Sequence, residues 1–292
     1  MGKKLKKLKK TIVKNKLKKT NNKTLIKINN QKSSSNKKEL LLTDIEKKII
    51  DYIKNNSNTN YYSEEAKTVK LYKEILEKVK GSCLCRISDE FGTAVCINKN
   101  GYILTCSHAA PPFEDEKSKE SIYIFPDGEI VKTITIEKNE QLDLALLKII
   151  EIYENGKFIK IKKIPDKKFN YSKIKTSSIE DNERIGENVF CIGNPCFTMY
   201  DDNGKLENNN YKPFWISFGK IKGYMKDGIY CKNDLGPLIH NCWTYWGHSV
   251  APIFNSNGEI VGMHNSWNEK NADRHGNSLL GIIKFISKFK LL

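Results

Sequence analysis

The chain has 292 residues, enough to bury a sizeable core and to form one or two domains. Its net charge of +16 is uneven, because residues 1–40 hold fifteen lysines and one acidic residue, Glu39, and so carry +14 of it. No run of about 18 apolar residues is present, so a membrane span is not expected. The first residues also lack the apolar core of a secretory signal peptide.

Eight cysteines are spread along the chain, at positions 83, 85, 96, 106, 191, 196, 231 and 242. Because no secretory signal precedes them, we expect reduced thiols in an intracellular protein, cytoplasmic or nuclear, rather than a disulfide framework. Cys83 and Cys85 form a C-x-C pair with no second pair and no histidine nearby, which is a poor zinc site. We therefore expect neither a metal nor a cofactor.

Residues 1–40 form a basic tail rich in lysine, asparagine and serine. Such a segment buries too little apolar surface to offset its chain entropy, so disorder is predicted. Two interpretations stay open. The tail contacts nucleic acid or an anionic surface, or acts as a nuclear address; alternatively, it only extends the lysine- and asparagine-rich composition of the whole chain.

Apolar residues recur at helical spacing in two segments between residues 41 and 80. The first set is Leu41, Leu42, Ile45, Ile49, Ile50 and Ile53, and the second is Val69, Leu71, Tyr72, Ile75, Leu76 and Val79. Thr43 or Asp44 is suited to cap the first helix. We expect a helical extension packed on the body that follows, with a partner-binding role as the alternative.

From residue 82 the apolar pattern changes to short strand-like runs separated by turns rich in glycine and asparagine. Residues 91–97 and 102–105 predict a hairpin with Asn-Gly at its tip, and its second strand leads to His108. A second predicted hairpin, 121–136, is followed by a strand that begins at Asp143. Polar side chains thus stand where strands begin or end.

Residues 244–267 read TYWGHSVAPIFNSNGEIVGMHNSW and contain the candidate nucleophile Ser249. A serine attacks a carbonyl only if a base removes its proton and N–H groups stabilise the resulting oxyanion. Gly247 has no Cβ and permits a sharp turn, so the N–H groups of Gly247 and Ser249 can point into one oxyanion hole. A predicted hairpin, 252–263, follows.

Three segments together resemble chymotrypsin-fold serine proteases, closest to glutamyl endopeptidases and to HtrA-like catalytic domains. They are GTAVCINKNGYILTCSHAA (92–110), DLALLKI (143–149) and GHSVAP (247–252). A fourth, GENVFCIGNP (186–195), is similar to the strand that opens the second barrel of this family. The resemblance covers roughly residues 82–285, and no PDZ module is expected after it.

The resemblance implies an all-β fold of two antiparallel six-stranded β-barrels, chymotrypsin-like, with an α-helical, basic N-terminal extension. The expected domains are the tail (1–40), the helical extension (41–80) and a trypsin-like serine protease domain (81–292). Within that domain, barrel 1 is expected at about 82–165 and barrel 2 at about 180–285.

The resemblance also implies the roles of three residues in a serine endopeptidase. His108 is the general base and acid, Asp143 orients it, and Ser249 attacks to form an acyl-enzyme. Their chain order is that of chymotrypsin-like proteases and differs from the orders of α/β-hydrolases and subtilisins. Two other acids, Asp115 and Asp127, lie in loop or turn contexts that suit the orienting role less well.

His264 follows Ser249 by fifteen residues, the offset at which glutamyl endopeptidases carry a histidine of the S1 pocket that pairs with an acidic P1 side chain. Thr244 matches a threonine of the same pocket. The resemblance therefore implies cleavage of proteins or peptides after Glu, with Gln or Asp next. The alternative is that His264 is an ordinary core histidine.

Three residues of the loop depart from the family pattern. His248 replaces the usual Asp or Asn, and Val250 and Ala251 stand where Gly-Gly or Gly-Ser is usual. Val250 is bulkier than glycine and could narrow the site. Two alternatives to a peptidase therefore stay open: a pseudoprotease that binds peptides without cleaving them, and a scaffold whose basic tail binds nucleic acid.

Overall fold

The computed structural model describes residues 42–57, 69–88, 92–111, 120–161, 169–176, 185–196, 198–200, 206–208, 211–226, 229–231, 237–267 and 273–292. All of them belong to one compact unit, residues 39–292. The basic tail, residues 1–40, lies outside the described residues, so its disorder stays a prediction.

Two helices precede the first strand, as the apolar spacing predicts: α1 is Asp44–Asn56 and α2 is Val69–Lys80. Thr43 begins α1 with a capping box, because its Oγ1 accepts from Glu46 N at 3.2 Å while its N–H donates to Glu46 Oε2 at 2.6 Å. The buried apolar side chains described for these helices belong to the main hydrophobic core; they are Ile49, Ile50, Ile53, Leu76 and Val79.

Helix α1 is also tied to a segment far along the chain. Tyr52 Oη donates to Tyr211 O at 2.7 Å, and Lys212 Nζ donates to Asn56 Oδ1 at 2.9 Å. Because Tyr211 packs on Trp243 and Tyr245, the helical extension supports an aromatic cluster of the second barrel.

The first sheet has seven antiparallel strands. They are β1 (Cys83–Arg86), β2 (Thr93–Cys96), β3 (Tyr102–Thr105), β4 (Glu120–Ile124), β5 (Ile130–Asn139), β6 (Leu144–Glu154) and β7 (Lys157–Lys160). Their order is β3-β2-β1-β4-β5-β6-β7, and β3 also pairs with β6. That pairing closes β1 to β6 into a six-stranded barrel, barrel 1, and β7 extends it as the hairpin partner of β6.

The second sheet also has seven antiparallel strands. They are β8 (Asn188–Gly193), β11 (Trp215–Lys226), β12 (Ile229–Cys231), β13 (Leu238–His240), β14 (Pro252–Phe254), β15 (Ile260–Trp267) and β16 (Arg274–Ser278). The order is β12-β11-β13-β16-β15-β14-β8, and the pairing of β11 with β8 closes six of the strands into barrel 2. Between β8 and β11, β9 (Thr198–Tyr200) and β10 (Leu206–Asn208) form a separate hairpin. The predicted architecture of two six-stranded barrels is confirmed.

A helix that the sequence analysis does not predict follows the last strand. It is α3 (Leu279–Ile286), and a 3₁₀ turn, Ser287–Phe289, follows it. Ser278 caps α3, since its Oγ accepts from Gly281 N at 3.2 Å. The segment LLGIIKFI is apolar almost throughout, and a short apolar run does not distinguish a helix from a strand.

Thr93 of β2 joins the two barrels at the loop that carries Ser249. Its Oγ1 donates to Gly247 O at 2.9 Å and accepts from Asn194 N at 2.9 Å. Its own N–H donates to Ser249 O at 3.3 Å. Asn194 Nδ2 donates in turn to Leu84 O at 3.0 Å. Barrel 1 therefore holds two carbonyl groups of a loop that belongs to barrel 2.

Candidate active site

His108 and Asp143 come together because β3 and β6 are neighbours in barrel 1. Thr105 pairs with Ala145, so the residues after β3 and those before β6 lie at the same end of the barrel. His108 Nδ1 lies 2.8 Å from Asp143 Oδ2 and 3.0 Å from Oδ1, and the His108 N–H donates to Oδ1 at 3.1 Å. The carboxylate therefore holds both the ring and the backbone of His108.

The contacts of His108 change its proton affinity. The hydrogen bond to Asp143 raises the pKa of His108 to about 10, and Cys106, whose Sγ lies 3.5 Å from His108 Nε2, contributes to the same direction. Above this pKa the ring is neutral, and the carboxylate at Nδ1 then favours the tautomer that is protonated there and leaves Nε2 to accept a proton. Cys106 is fully buried and is a site residue that the sequence analysis missed.

Ser249 stands on the tight loop between β13 and β14. Gly247 has φ +91°, and a Cβ added to it would lie 2.2 Å from Asn194 O, so this position requires glycine. Within the described part of the chain, the N–H groups of Gly247 and Ser249 donate to no acceptor. The loop thus leaves two neighbouring backbone donors without internal partners.

Val250 does not narrow the site. It has φ +62°, its N–H donates to His264 O at 2.6 Å, and its side chain is fully buried in the main hydrophobic core. The left-handed conformation turns the larger side chain into the core. The added bulk of Val250 thus lies in the core, on the side of the loop that packs against other apolar side chains.

His248 is a buried ring beneath the loop. Its Nδ1 accepts from Tyr245 N at 3.2 Å, and it packs edge-on against Trp243 with ring centroids 5.4 Å apart. Burial lowers the pKa of His248 to about 3, so the ring is neutral at neutral pH. A Cβ on Gly193 would lie 2.3 Å from this ring, so the glycine leaves room for it.

Ser249 and His108 line one cavity of about 290 Å³ between the barrels. The other lining residues are Thr244, Tyr245, Trp246, His264, Asn265, Ser266 and Trp267. Among the described residues no hydrogen bond joins Ser249 to His108, and Nε2 of His108 faces Cys106 instead.

The two residues predicted for the S1 pocket, Thr244 and His264, both line this cavity, next to Ser249. His264 is 5% exposed, and its Nδ1 lies 3.1 Å from Nε2 of His240, which is fully buried. Burial lowers the pKa of His264 well below its usual value and that of His240 to about 3. The structure thus adds His240 to the candidate site.

Thr244 has a further partner that the sequence analysis missed. Arg274 Nε donates to Thr244 Oγ1 at 2.9 Å. The rim of the cavity is aromatic, since Trp246 and Trp267 are 65% and 47% exposed. The cavity thus combines a polar wall with two large apolar side chains at its entrance.

The described residues contain neither a metal-binding cluster nor a helix that could span a membrane. Within the ranges that the structure describes, no group of three or more His, Cys, Asp or Glu residues is arranged to hold a metal ion. The described helices include none that has both the length and the apolar character needed to cross a membrane.

Comparison with known proteins identifies the family of the chain and a solved structure with a similar fold. The family model described as trypsin-like peptidase domain matches residues 92–263, a span that contains His108, Asp143 and Ser249. Among solved structures, the chain is similar to the serine endoprotease from Yersinia pestis, with 18% sequence identity and a TM-score of 0.52. The match covers 74% of this chain and 65% of the endoprotease's length, and at this identity it concerns the fold. A search of curated proteins finds no match.

Proposed function

The chain belongs to the trypsin-like peptidase domain family, and on that premise we propose that it is a serine endopeptidase that acts on proteins or peptides. One observation carries the proposal. The His108 ring, hydrogen-bonded to the Asp143 carboxylate, lines the same cavity as Ser249. A base, its orienting carboxylate and a hydroxyl around one cavity are the groups that acyl transfer requires.

Each residue has a defined task in the proposed reaction. His108 Nε2 takes the proton of Ser249 Oγ while that oxygen attacks the carbonyl carbon of the scissile bond. Asp143 stays ionised and stabilises the imidazolium through Nδ1–H. His108 then donates the proton to the leaving amine, and later activates the water that hydrolyses the acyl-enzyme.

The carbonyl oxygen that becomes negative needs preorganised donors. We assign this task to the N–H groups of Gly247 and Ser249, which find no acceptor within the described residues. Thr93 holds the carbonyl groups of the same two residues on barrel 1. Because the carbonyls are fixed, the loop need not rearrange to present its donors.

For specificity we propose that Thr244 and His264 form the S1 pocket, with cleavage after Glu and with Gln or Asp as the next preferences. Both side chains line the cavity beside Ser249. A hydroxyl and an imidazole hydrogen-bond to a carboxylate or an amide, whereas a P1 lysine or arginine would need an acidic partner.

A second candidate function has one specific observation in its favour. Nε2 of His108 faces Cys106, and no hydrogen bond joins His108 to Ser249 in the described part of the chain. A pseudoprotease that binds peptides in the cavity without turnover would show the same geometry.

Labelling with a fluorophosphonate probe separates the two candidates. We expect wild type to be labelled and Ser249→Ala and His108→Ala not to be, because the probe reacts only with an activated serine. Ser256→Ala, in the exposed turn after β14, is the matched control and should label as wild type does. A folded wild-type protein that is not labelled would favour the pseudoprotease.

If wild type is labelled, the P1 preference of its peptidase activity tests the proposed S1 pocket. A preference for large apolar P1 residues would exclude that pocket.

Replacing Cys106 should change the pH dependence of the proposed activity. Below its pKa, His108 is protonated and cannot accept the serine proton, so kcat/KM rises with pH through that pKa. The contact with Cys106 helps to raise the pKa of His108, so in Cys106→Ala the rising limb should move to lower pH. Cys96→Ala, another fully buried cysteine of barrel 1, is the control for a general packing effect. An unchanged profile, or a shift to higher pH, would contradict the assigned contact.

A further inference from the structure

A carboxylate loses its hydrating water when it enters a pocket. A pocket that selects an acidic side chain must compensate for this loss with a positive charge or with several hydrogen-bond donors. The histidines of the proposed S1 pocket supply no charge. Burial lowers the pKa values of His264 and His240 far enough to leave both rings neutral at neutral pH. In addition, His264 Nδ1 is engaged with His240 Nε2 at 3.1 Å. A positive charge in this pocket therefore has to come from a residue other than these histidines.

Arg274 contacts two residues of the cavity wall. It begins β16, opposite Trp267 of β15 in the sheet register. Its Nε donates to Thr244 Oγ1 at 2.9 Å, and its guanidinium carbon lies 5.4 Å from the centroid of the Trp267 ring, within cation–π distance. Because Thr244 and Trp267 both line the cavity, the guanidinium lies directly against this wall.

The charge on Arg274 persists in this half-buried position. Burial lowers the pKa of Arg274, and the neighbouring Asp273 acts in the opposite direction. A guanidinium nevertheless stays protonated throughout the range in which proteins are folded. Asp273 offsets part of the positive potential, while the Arg274 guanidinium contacts the pocket wall directly through Thr244 and Trp267.

The direction of the Arg274–Thr244 hydrogen bond also favours an anionic ligand. Arg274 Nε–H can only donate, so it occupies an acceptor position of Thr244 Oγ1. The hydroxyl hydrogen of Thr244 remains to be donated. A threonine polarised by a cation in this way is a better donor to a carboxylate than an isolated hydroxyl.

We propose that Arg274 determines the preference for an acidic P1 side chain, by placing a positive charge behind Thr244 in the S1 pocket. The inference rests on the proposed peptidase function for the meaning of P1, and its chemical content is selective binding of a glutamate side chain. Arg274 is here a specificity-determining residue and takes no part in the bond-breaking steps.

The first test compares kcat/KM for peptides that differ only in carrying Glu, Gln or Leu at P1. In Arg274→Gln the value for the Glu peptide should fall by roughly 100-fold, the size expected when a partner of a charged hydrogen-bonded pair is removed. The Gln and Leu peptides should keep values close to wild type, and Arg274→Lys should restore part of the loss. Arg86→Gln is the matched control, because Arg86 is a half-buried strand arginine of barrel 1.

The second test needs no turnover. In a Ser249→Ala background, calorimetry compares peptides that end in Glu with peptides that end in Gln. We expect the Glu peptide to bind more tightly, and Arg274→Gln to remove the difference. Fluorophosphonate labelling of wild type, which keeps Ser249, is measured separately and reports the reactive serine without P1 recognition, because the probe carries no P1 side chain.

These readouts distinguish a failure of the inference from a failure of the peptidase proposal. If wild type is neither labelled nor active, but Glu over Gln discrimination in binding depends on Arg274, the peptidase proposal fails and the inference holds. The inference is overturned if wild type in the kinetic assay and Ser249→Ala in the binding assay both fail to discriminate Glu from Gln. It is also overturned if Arg274→Gln retains the discrimination. An equal effect of Arg86→Gln would also overturn it, since a general loss of charge would then explain the result.

Discussion

Asp143→Asn is expected to lower kcat/KM by about 10⁴-fold while leaving the fold intact. The carboxylate contacts His108 Nδ1 with both oxygens, at 2.8 and 3.0 Å, and accepts the backbone N–H of the same residue at 3.1 Å. An asparagine amide donates its own hydrogens, so it favours the tautomer with the proton on Nε2. That tautomer cannot accept the proton of Ser249.

Steady-state kinetics on the preferred peptide, with thermal unfolding measured in parallel, checks this result. Asp127→Asn is the matched control, because Asp127 is an exposed acid in the turn between β4 and β5, where it accepts the N–H of Glu129. It should retain wild-type kinetics. An Asp143→Asn protein with near wild-type kcat/KM would exclude Asp143 from the orienting role.

Gly247→Ala is expected to lower kcat by about 100- to 1,000-fold, the size of effect seen when one oxyanion donor is lost. The added Cβ would lie 2.2 Å from Asn194 O and 3.0 Å from Cys196 N, in a residue with φ +91°. The loop must move to relieve this overlap. Because the N–H of Gly247 belongs to the displaced peptide, the donor moves away from the carbonyl oxygen of the substrate.

Gly156→Ala is the matched control for Gly247→Ala, because it measures only the free-energy cost of placing a residue with a Cβ at positive φ. Gly156 has φ +83° in the turn between β6 and β7, and a Cβ there would meet no atom within 4 Å. We expect it to destabilise the fold by about 1–2 kcal/mol and to leave kcat unchanged. If Gly247→Ala showed the same small loss of stability and full activity, the loop would tolerate a Cβ and the oxyanion assignment would be wrong.

Local patterns in the sequence, and the family resemblance that they carry, were sufficient to predict the fold and the family. The short apolar runs at residues 93–96 and 102–105, on either side of an Asn-Gly turn, are a short-range signal, and the structure has β2 and β3 there. The family resemblance is confirmed by a match over residues 92–263. The roles of His108, Asp143 and Ser249 stay proposals, and the intracellular location stays a prediction.

Other features escaped the sequence analysis for identifiable reasons. Helix α3 was missed because an apolar run of eight residues has no readable period. The sequence leaves the effect of Val250 open, because this effect depends on φ +62°, which places the side chain in the core. The contact of Cys106 with His108 is not predictable from the sequence, because the burial of a thiol has no local sequence pattern.

The sequence by itself determined the barrel architecture, the chain order of the candidate residues and the family, because these depend on motifs and periods that are each shorter than about twenty residues. The tertiary structure alone decided which side chains meet at the cavity. Thr93 and Gly247 are 154 positions apart, and Arg274 and Thr244 are 30 apart. The first pair joins the two barrels and the second lies within barrel 2. Strand register and barrel closure set both distances, and no local pattern encodes them.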